Sequence, residues 1–159
     1  MPHDDAHFMR LAIDVCRRGI EAGQSPFGAV IVNPTGDVVA VEHNVVWRTT
    51  DPTGHAEVAA IRAACGTLQT IDLTGHTIYS TTEPCPMCFA AIHWVKLARI
   101  VFGASIADAR LAGFSELTIS NQQMKQLGGS PVEIAGGVLA AEAAALFGEW
   151  QARVDRRVY

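Results

Sequence analysis

Two short segments hold most of the chemistry in this sequence. The first is His55-Ala56-Glu57; the second, about thirty residues later, is Pro84-Cys85-Pro86-Met87-Cys88. Together they offer one imidazole, one carboxylate and two thiols. Cys-x-x-Cys at a helix start puts both sulfurs on one side of the first turn, because residues three apart are neighbours there. Thiolate and imidazole are the donors zinc prefers, at about 2.0 to 2.3 Å. The candidate metal ligands are therefore His55, Cys85 and Cys88. Three protein ligands leave a tetrahedral ion one open position, which is the mark of a catalytic site. Glu57 is the candidate for working a water placed there. It follows His55 by two residues, about 200° round a helix, so the two side chains point differently.

A closed structural site is the competing reading. It needs a fourth ligand from Cys16, Cys65, His43 or His76. Cys16 and Cys65 sit in apolar helical patterns, where a free cysteine usually belongs to the core. Neither His43 nor His76 has a ligand-like neighbour. A scaffold also has no use for the carboxylate of Glu57, so the open, catalytic reading is preferred.

The elements that must position these groups follow from hydrophobic periodicity. Asp4 or Asp5 suits the N-cap of a first helix, whose buried stripe is Phe8, Leu11, Ala12, Val15, Cys16 and Ile20, with Gly23 as its stop. Residues 27–32 and 38–41 read as strands joined by the turn Asn33-Pro34-Thr35-Gly36-Asp37, which predicts a hairpin. Residues 44–54 read as a loop. A helix then starts at about His55 and is expected to end at Gly66. Residues 77–81 form a strand, and Pro86 suits the first turn of the helix carrying Cys88, Ala91, Ile92 and Val95. Further strands are expected at 99–103 and 132–135, with a mixed stretch at 105–129 and a last helix at about 139–153. Helices and strands alternate after the hairpin, which favours parallel pairing and a sheet covered on both faces. The expected fold is α/β: a three-layer α/β/α sandwich with a five-stranded mixed sheet, one domain over residues 1–159. Both metal-binding segments fall at helix N-termini, where the macrodipole favours thiolate.

Composition limits the function classes. Hydrophobic residues make up 49% of the chain, so it is not a disordered sequence. No apolar run reaches the roughly 20 residues of a membrane span. Met1-Pro2-His3-Asp4-Asp5 lacks a basic region followed by an apolar stretch, so no secretory leader is expected. Four cysteines, two of them assigned to metal, fit a reducing cytoplasm better than a disulfide framework. Net charge is −4, a poor footprint for nucleic acid, so no nucleic-acid partner is expected. Arg153, Arg156 and Arg157 read as a solvated helix end.

His-x-Glu followed by Pro-Cys-x-x-Cys is the pattern of zinc-dependent nucleobase deaminases, and the chain resembles the cytidine deaminase superfamily. The matching stretches are Pro26-Phe27-Gly28-Ala29-Val30, Asp51-Pro52-Thr53-Gly54-His55-Ala56-Glu57 and Glu83-Pro84-Cys85-Pro86-Met87-Cys88. Ala91-Ile92-His93-Trp94, Ala112-Gly113-Phe114 and the final Tyr159 look like bacterial guanine deaminases in particular. The tRNA-specific adenosine deaminases are the second likeness; they usually carry His-Ser-Arg where this chain has His93-Trp94-Val95. The likeness is weakest from about residue 117 to 138. Gly54 stands for a usual Ala, and Glu116 for the Asp of some members.

The resemblance implies a zinc ion held by His55, Cys85 and Cys88, and hydrolysis of guanine to xanthine and ammonia. It implies that Glu57 moves the protons and that Glu116 meets the base's N–H groups and passes protons. It also implies that Asn44 hydrogen-bonds the base, while Phe27, Ala56 and Trp94 line the pocket. Finally, it implies a homodimer in which the C-terminal segment crosses over, so that Tyr159 closes the partner's site. The rival readings are an RNA-acting adenosine deaminase, a deaminase of another amino-heterocycle, and a non-catalytic zinc scaffold.

Overall fold

In the computed structural model of the chain, which describes residues 4–159, Asp4 caps the first helix. Its carboxylate accepts from the His7 amide at 3.1 Å, and α1 runs over Asp5–Glu21. The reading of Met1-Pro2-His3 as free of a leader lies outside the described residues. β1 (Gly28–Val32) and β2 (Val38–His43) pair antiparallel as the expected hairpin. β3 (Thr77–Thr82) lies antiparallel on the other side of β1. β4 (Arg99–Ala104) and β5 (Glu133–Ala135) then extend the sheet in parallel. The sheet is mixed and five-stranded, in the order β2-β1-β3-β4-β5.

Strands β1 and β3 are buried along their whole length, because helices cover both sides. α1 packs together with α7 (Ala140–Gln151) on one face, and α3 (Ala56–Leu68) with α4 (Pro86–Trp94) on the other. This is the expected three-layer α/β/α arrangement. Helix α1 approaches β1 so closely that a Cβ on Gly28 would collide with the Ala12 carbonyl oxygen. The start of α1 is tied to the sheet by Asp5, which accepts two hydrogen bonds from Arg99, at 2.7 and 2.8 Å, and one from the Tyr79 hydroxyl at 2.9 Å. Among the described residues no helix is long and apolar enough to cross a membrane.

The fold departs from the sequence expectations at three places. Gly66 does not end α3, which continues to Leu68; Gln69 then turns left-handed at φ 53°, and its side-chain amide donates to the Gly66 carbonyl at 2.6 Å. A single interior glycine costs a helix only about 1 kcal/mol, so packing overrides it. The loop at 44–54 contains a short helix, α2 (Val46–Thr49). The mixed stretch resolves into α5 (Ile106–Leu111) and α6 (Asn121–Gly128). Each is started by a reciprocal capping box, Ser105 with Asp108 and Ser120 with Gln123.

Candidate active site

His55 is the N-cap residue of α3 and Cys85 the N-cap residue of α4, with Pro86 at the first helical position. Cys88 follows in the first turn of α4 and is fully buried. The end of the central strand β3 and the two helix starts bring these three side chains together. His55 Nδ1 lies 3.5 Å from Cys85 Sγ and 3.5 Å from Cys88 Sγ, and the three donor atoms fall within 4.8 Å of one another. A tetrahedral zinc with bonds of about 2.1 and 2.3 Å needs a nitrogen–sulfur separation of about 3.5 Å. The donor set and its spacing therefore fit zinc. Cys16 is deep in the core on α1, and among the described residues no other cysteine or histidine joins the cluster.

Glu57 is buried beside this triad. Its Oε2 accepts from Cys88 Sγ at 3.4 Å, and its Oε1 lies 2.8 Å from Ser80 Oγ. Burial raises the Glu57 carboxyl above its ordinary range, against the pull of His55. The two thiols share one proton unequally. A hydrogen bond from Cys88 pulls Cys85 down to about 4, helped by His55 and opposed by burial. The same bond, and then burial, pushes Cys88 well up. Burial alone would lower His55, but its hydrogen bond with Cys85 and the Glu57 charge raise it.

Phe27, Glu116 and Tyr159 stand around the same centre. With His55, Glu57, Thr82 and Glu83 they line an enclosed cavity of about 10 Å³, room for roughly one water. His55, Glu116 and Tyr159 also border a wider cleft of about 220 Å³, walled by Pro52, Met87 and Phe114. Burial, then the charges of Cys85 and Glu57, push the Glu116 carboxyl up to about 7. Among the described residues that carboxyl accepts no hydrogen bond from the protein. Asn44 is fully buried; its Oδ1 accepts from the Val46 amide at 3.0 Å, and its Nδ2 donates to the Tyr159 hydroxyl at 2.7 Å. Ala56 is buried at the start of α3 but does not line the cavity.

Two of the expected pocket residues, Trp94 and Tyr159, differ in where the single chain places them. Trp94 is 82% exposed and borders a surface groove with His93 and Ser130, away from the triad. It ends α4, nine positions after Cys85, which is about 13 Å along a helix axis. Helix geometry thus carries it away from the site that the helix start builds. Within the single chain, Tyr159 stands beside His55. After α7 the chain turns back, the Tyr159 carbonyl accepts from the Ser115 amide at 3.1 Å, and its ring packs 5.7 Å from His55 and 5.2 Å from Phe114. Arg157 lies over the Trp47 ring at 4.4 Å and helps to hold this tail.

Three positions escaped the reading of the sequence. Ser80 touches Glu57, and Thr82 lines the cavity. Glu83 accepts from the Ile106 amide at 3.3 Å and the Asn121 amide at 2.9 Å, so one carboxylate serves the first residues of both α5 and α6. Asn121 in turn donates to the Pro84 carbonyl at 2.6 Å, bracing the loop that carries Cys85. The available signal was the polar run Ser80-Thr81-Thr82-Glu83 at the end of a strand that is otherwise apolar.

Comparison with known proteins agrees with this geometry. The family model "Cytidine and deoxycytidylate deaminase zinc-binding region" matches residues 2–104. The guanine deaminase of Bacillus subtilis (strain 168) is 42% identical over 110 residues, covering 69% of this chain and 70% of that protein. A tRNA-specific adenosine deaminase of Aquifex aeolicus (strain VF5) is 39% identical over 98 residues, 62% of this chain and 64% of that protein. Among solved structures, a guanine deaminase from Nitrosomonas europaea superposes with a TM-score of 0.87 at 26% identity, covering 95% of this chain and 86% of that one.

Proposed function

The chain belongs to the cytidine and deoxycytidylate deaminase family, whose zinc-binding region it carries, and from that premise we propose that it hydrolyses the exocyclic amine of guanine, giving xanthine and ammonia. The observation that supports guanine is Glu116. It is an acceptor at the cavity wall with no hydrogen bond to the protein, pushed up to about 7 chiefly by burial. Guanine presents paired N–H groups that such a carboxyl can accept; adenine lacks that arrangement. A site built around an unpartnered acceptor rejects analogues that leave it unpaired.

His55, Cys85 and Cys88 would hold the zinc, which when bound supplies Lewis acidity that lowers the pKa of a water towards about 7. Glu57 takes one proton from the attacking water and passes it to the ring nitrogen, then takes a second from the hydroxyl so formed and passes it to the departing amine. One carboxyl can act as base and then acid because it stays within hydrogen-bond reach of both partners. Burial raises this carboxyl, which strengthens it as a proton acceptor. Asn44 holds the Tyr159 phenol over His55, and Phe27 supplies an apolar wall. Water is excluded because the tail lies across the entrance, so base entry requires the Tyr159 ring to move aside.

The second reading is an adenosine deaminase acting on tRNA, favoured by the similarity to the Aquifex aeolicus protein. Against it stands the net charge of −4. A panel of guanine, guanosine, adenine, other aminopurines, aminotriazines and a tRNA substrate, assayed for ammonia release or inosine formation, tests the reading. Guanine should be far preferred, and Glu116→Ala should lose guanine turnover while keeping zinc. Equal rates on guanine and adenine would sink the role of Glu116.

A further inference from the structure

The two oxygens of Glu57 have different surroundings. Oε2 faces the zinc-ligand cluster, 3.4 Å from Cys88 Sγ. Oε1 faces the sheet, 2.8 Å from Ser80 Oγ. Ser80 is itself held: it is 2% exposed, and its Oγ lies 2.6 Å from the carbonyl oxygen of Thr82, two positions on in the same strand. That strand, β3, is paired with β1 on one side and β4 on the other, Ser80 itself standing opposite Ala29 and Phe102. The hydroxyl therefore sits on one of the least mobile parts of the fold.

We propose that Ser80 is a positioning residue for the deamination reaction. It anchors Oε1 of Glu57, so that Oε2 is left as the oxygen that carries the proton between water and base. The inference deepens the deaminase reading above and rests on it. Three physical points carry it. The last torsion of a glutamate side chain is broad and roughly two-fold, so an unanchored carboxyl has no fixed orientation of its own. A hydroxyl is both donor and acceptor, so Ser80 can keep its contact with Oε1 whether Glu57 is charged or neutral. The Thr82 carbonyl can only accept, so the single Ser80 proton turns to it when neutral Glu57 donates, and to Oε1 when Glu57 is charged.

The test uses zinc-loaded full-length chain, as wild type, Ser80→Ala and Ser80→Thr. Zinc content, melting temperature, kcat and KM on guanine are measured, and crystal structures of wild type and Ser80→Ala are compared. Ser80→Ala should keep zinc and lose kcat by roughly ten- to a hundredfold, as misplacement by about 1 Å does, with little change in KM. Ser80→Thr, which restores the hydroxyl, should recover most of kcat. The Glu57 carboxyl should be turned in the Ser80→Ala crystal. Unchanged kcat, or an unturned carboxyl, overturns the proposal. If wild type releases ammonia from no amino-heterocycle but the carboxyl still turns, the anchoring stands and the substrate reading falls. Should Ser80→Ala fail to fold, Ser80→Cys keeps the volume, replaces the hydroxyl by a weak donor, and carries the same expectations.

Discussion

The phenol of Tyr159, the last residue, accepts a 2.7 Å hydrogen bond from the side-chain amide of Asn44, 115 positions earlier. This bond places an aromatic ring across the zinc ligand His55 and joins the end of the chain to the loop after β2. It makes the tail part of the site wall.

Deleting the last four residues should spare fold and zinc while cutting guanine turnover at least about tenfold, the worth of one well-placed hydrogen bond of about 1.4 kcal/mol. Tyr159→Phe keeps the ring and should lose less. Mixing truncated chains with an excess of full-length Glu57→Gln chains, with subunit exchange confirmed, should restore no activity if each tail closes the site of its own chain. Recovered turnover in that mixture would mean that the tail acts between subunits.

Removing a metal ligand should abolish the centre. Cys85→Ala or Cys88→Ala leaves two donors, and about one zinc per chain should be lost together with turnover. Zinc content by atomic absorption is the check; full occupancy in the Cys85→Ala, Cys88→Ala double variant would defeat the ligand assignment.

Glu57→Gln preserves the shape of the side chain but cannot take a proton. Zinc should be retained and kcat should fall by at least roughly a hundredfold, the low end for a general acid–base group. Near-normal kcat would show that another group moves the proton.

Glu116 makes stability depend on pH in a definite direction. Its folded value of about 7 lies above the ordinary 4.5. Between those values the folded chain holds a proton that the unfolded chain has lost. The contribution is fully present below about 4.5 and is lost as pH rises through about 7. In metal-free protein the melting temperature of wild type minus that of Glu116→Gln should therefore fall between those two pH values. A difference independent of pH would show that Glu116 ionises as an exposed carboxyl does.

Much of the site was legible because its determinants are local. Cys85 and Cys88 are neighbours on one helical turn whatever surrounds them, and Pro86 marks where that turn starts. The hairpin, the central strands and the helices α1, α3, α4 and α7 followed from apolar periodicity and turn residues in the same way. The starts of α5 and α6 were equally local, since Ser105 with Asp108 and Ser120 with Gln123 are capping pairs three residues apart.

The sequence by itself determined the donor types, their spacing within each segment and the order of the elements, because each depends on neighbours within about one helical turn or one strand. Tertiary structure alone decided the rest. It set His55 Nδ1 3.5 Å from both sulfurs across some thirty residues of chain. It put Ser80 rather than a neighbour against Glu57, because the strand register chooses which side chains face α3. It removed Trp94 from the pocket and brought Tyr159 into it. Those outcomes depend on helix length, sheet order and the path of the tail, where packing between distant elements outweighs any preference a residue has on its own.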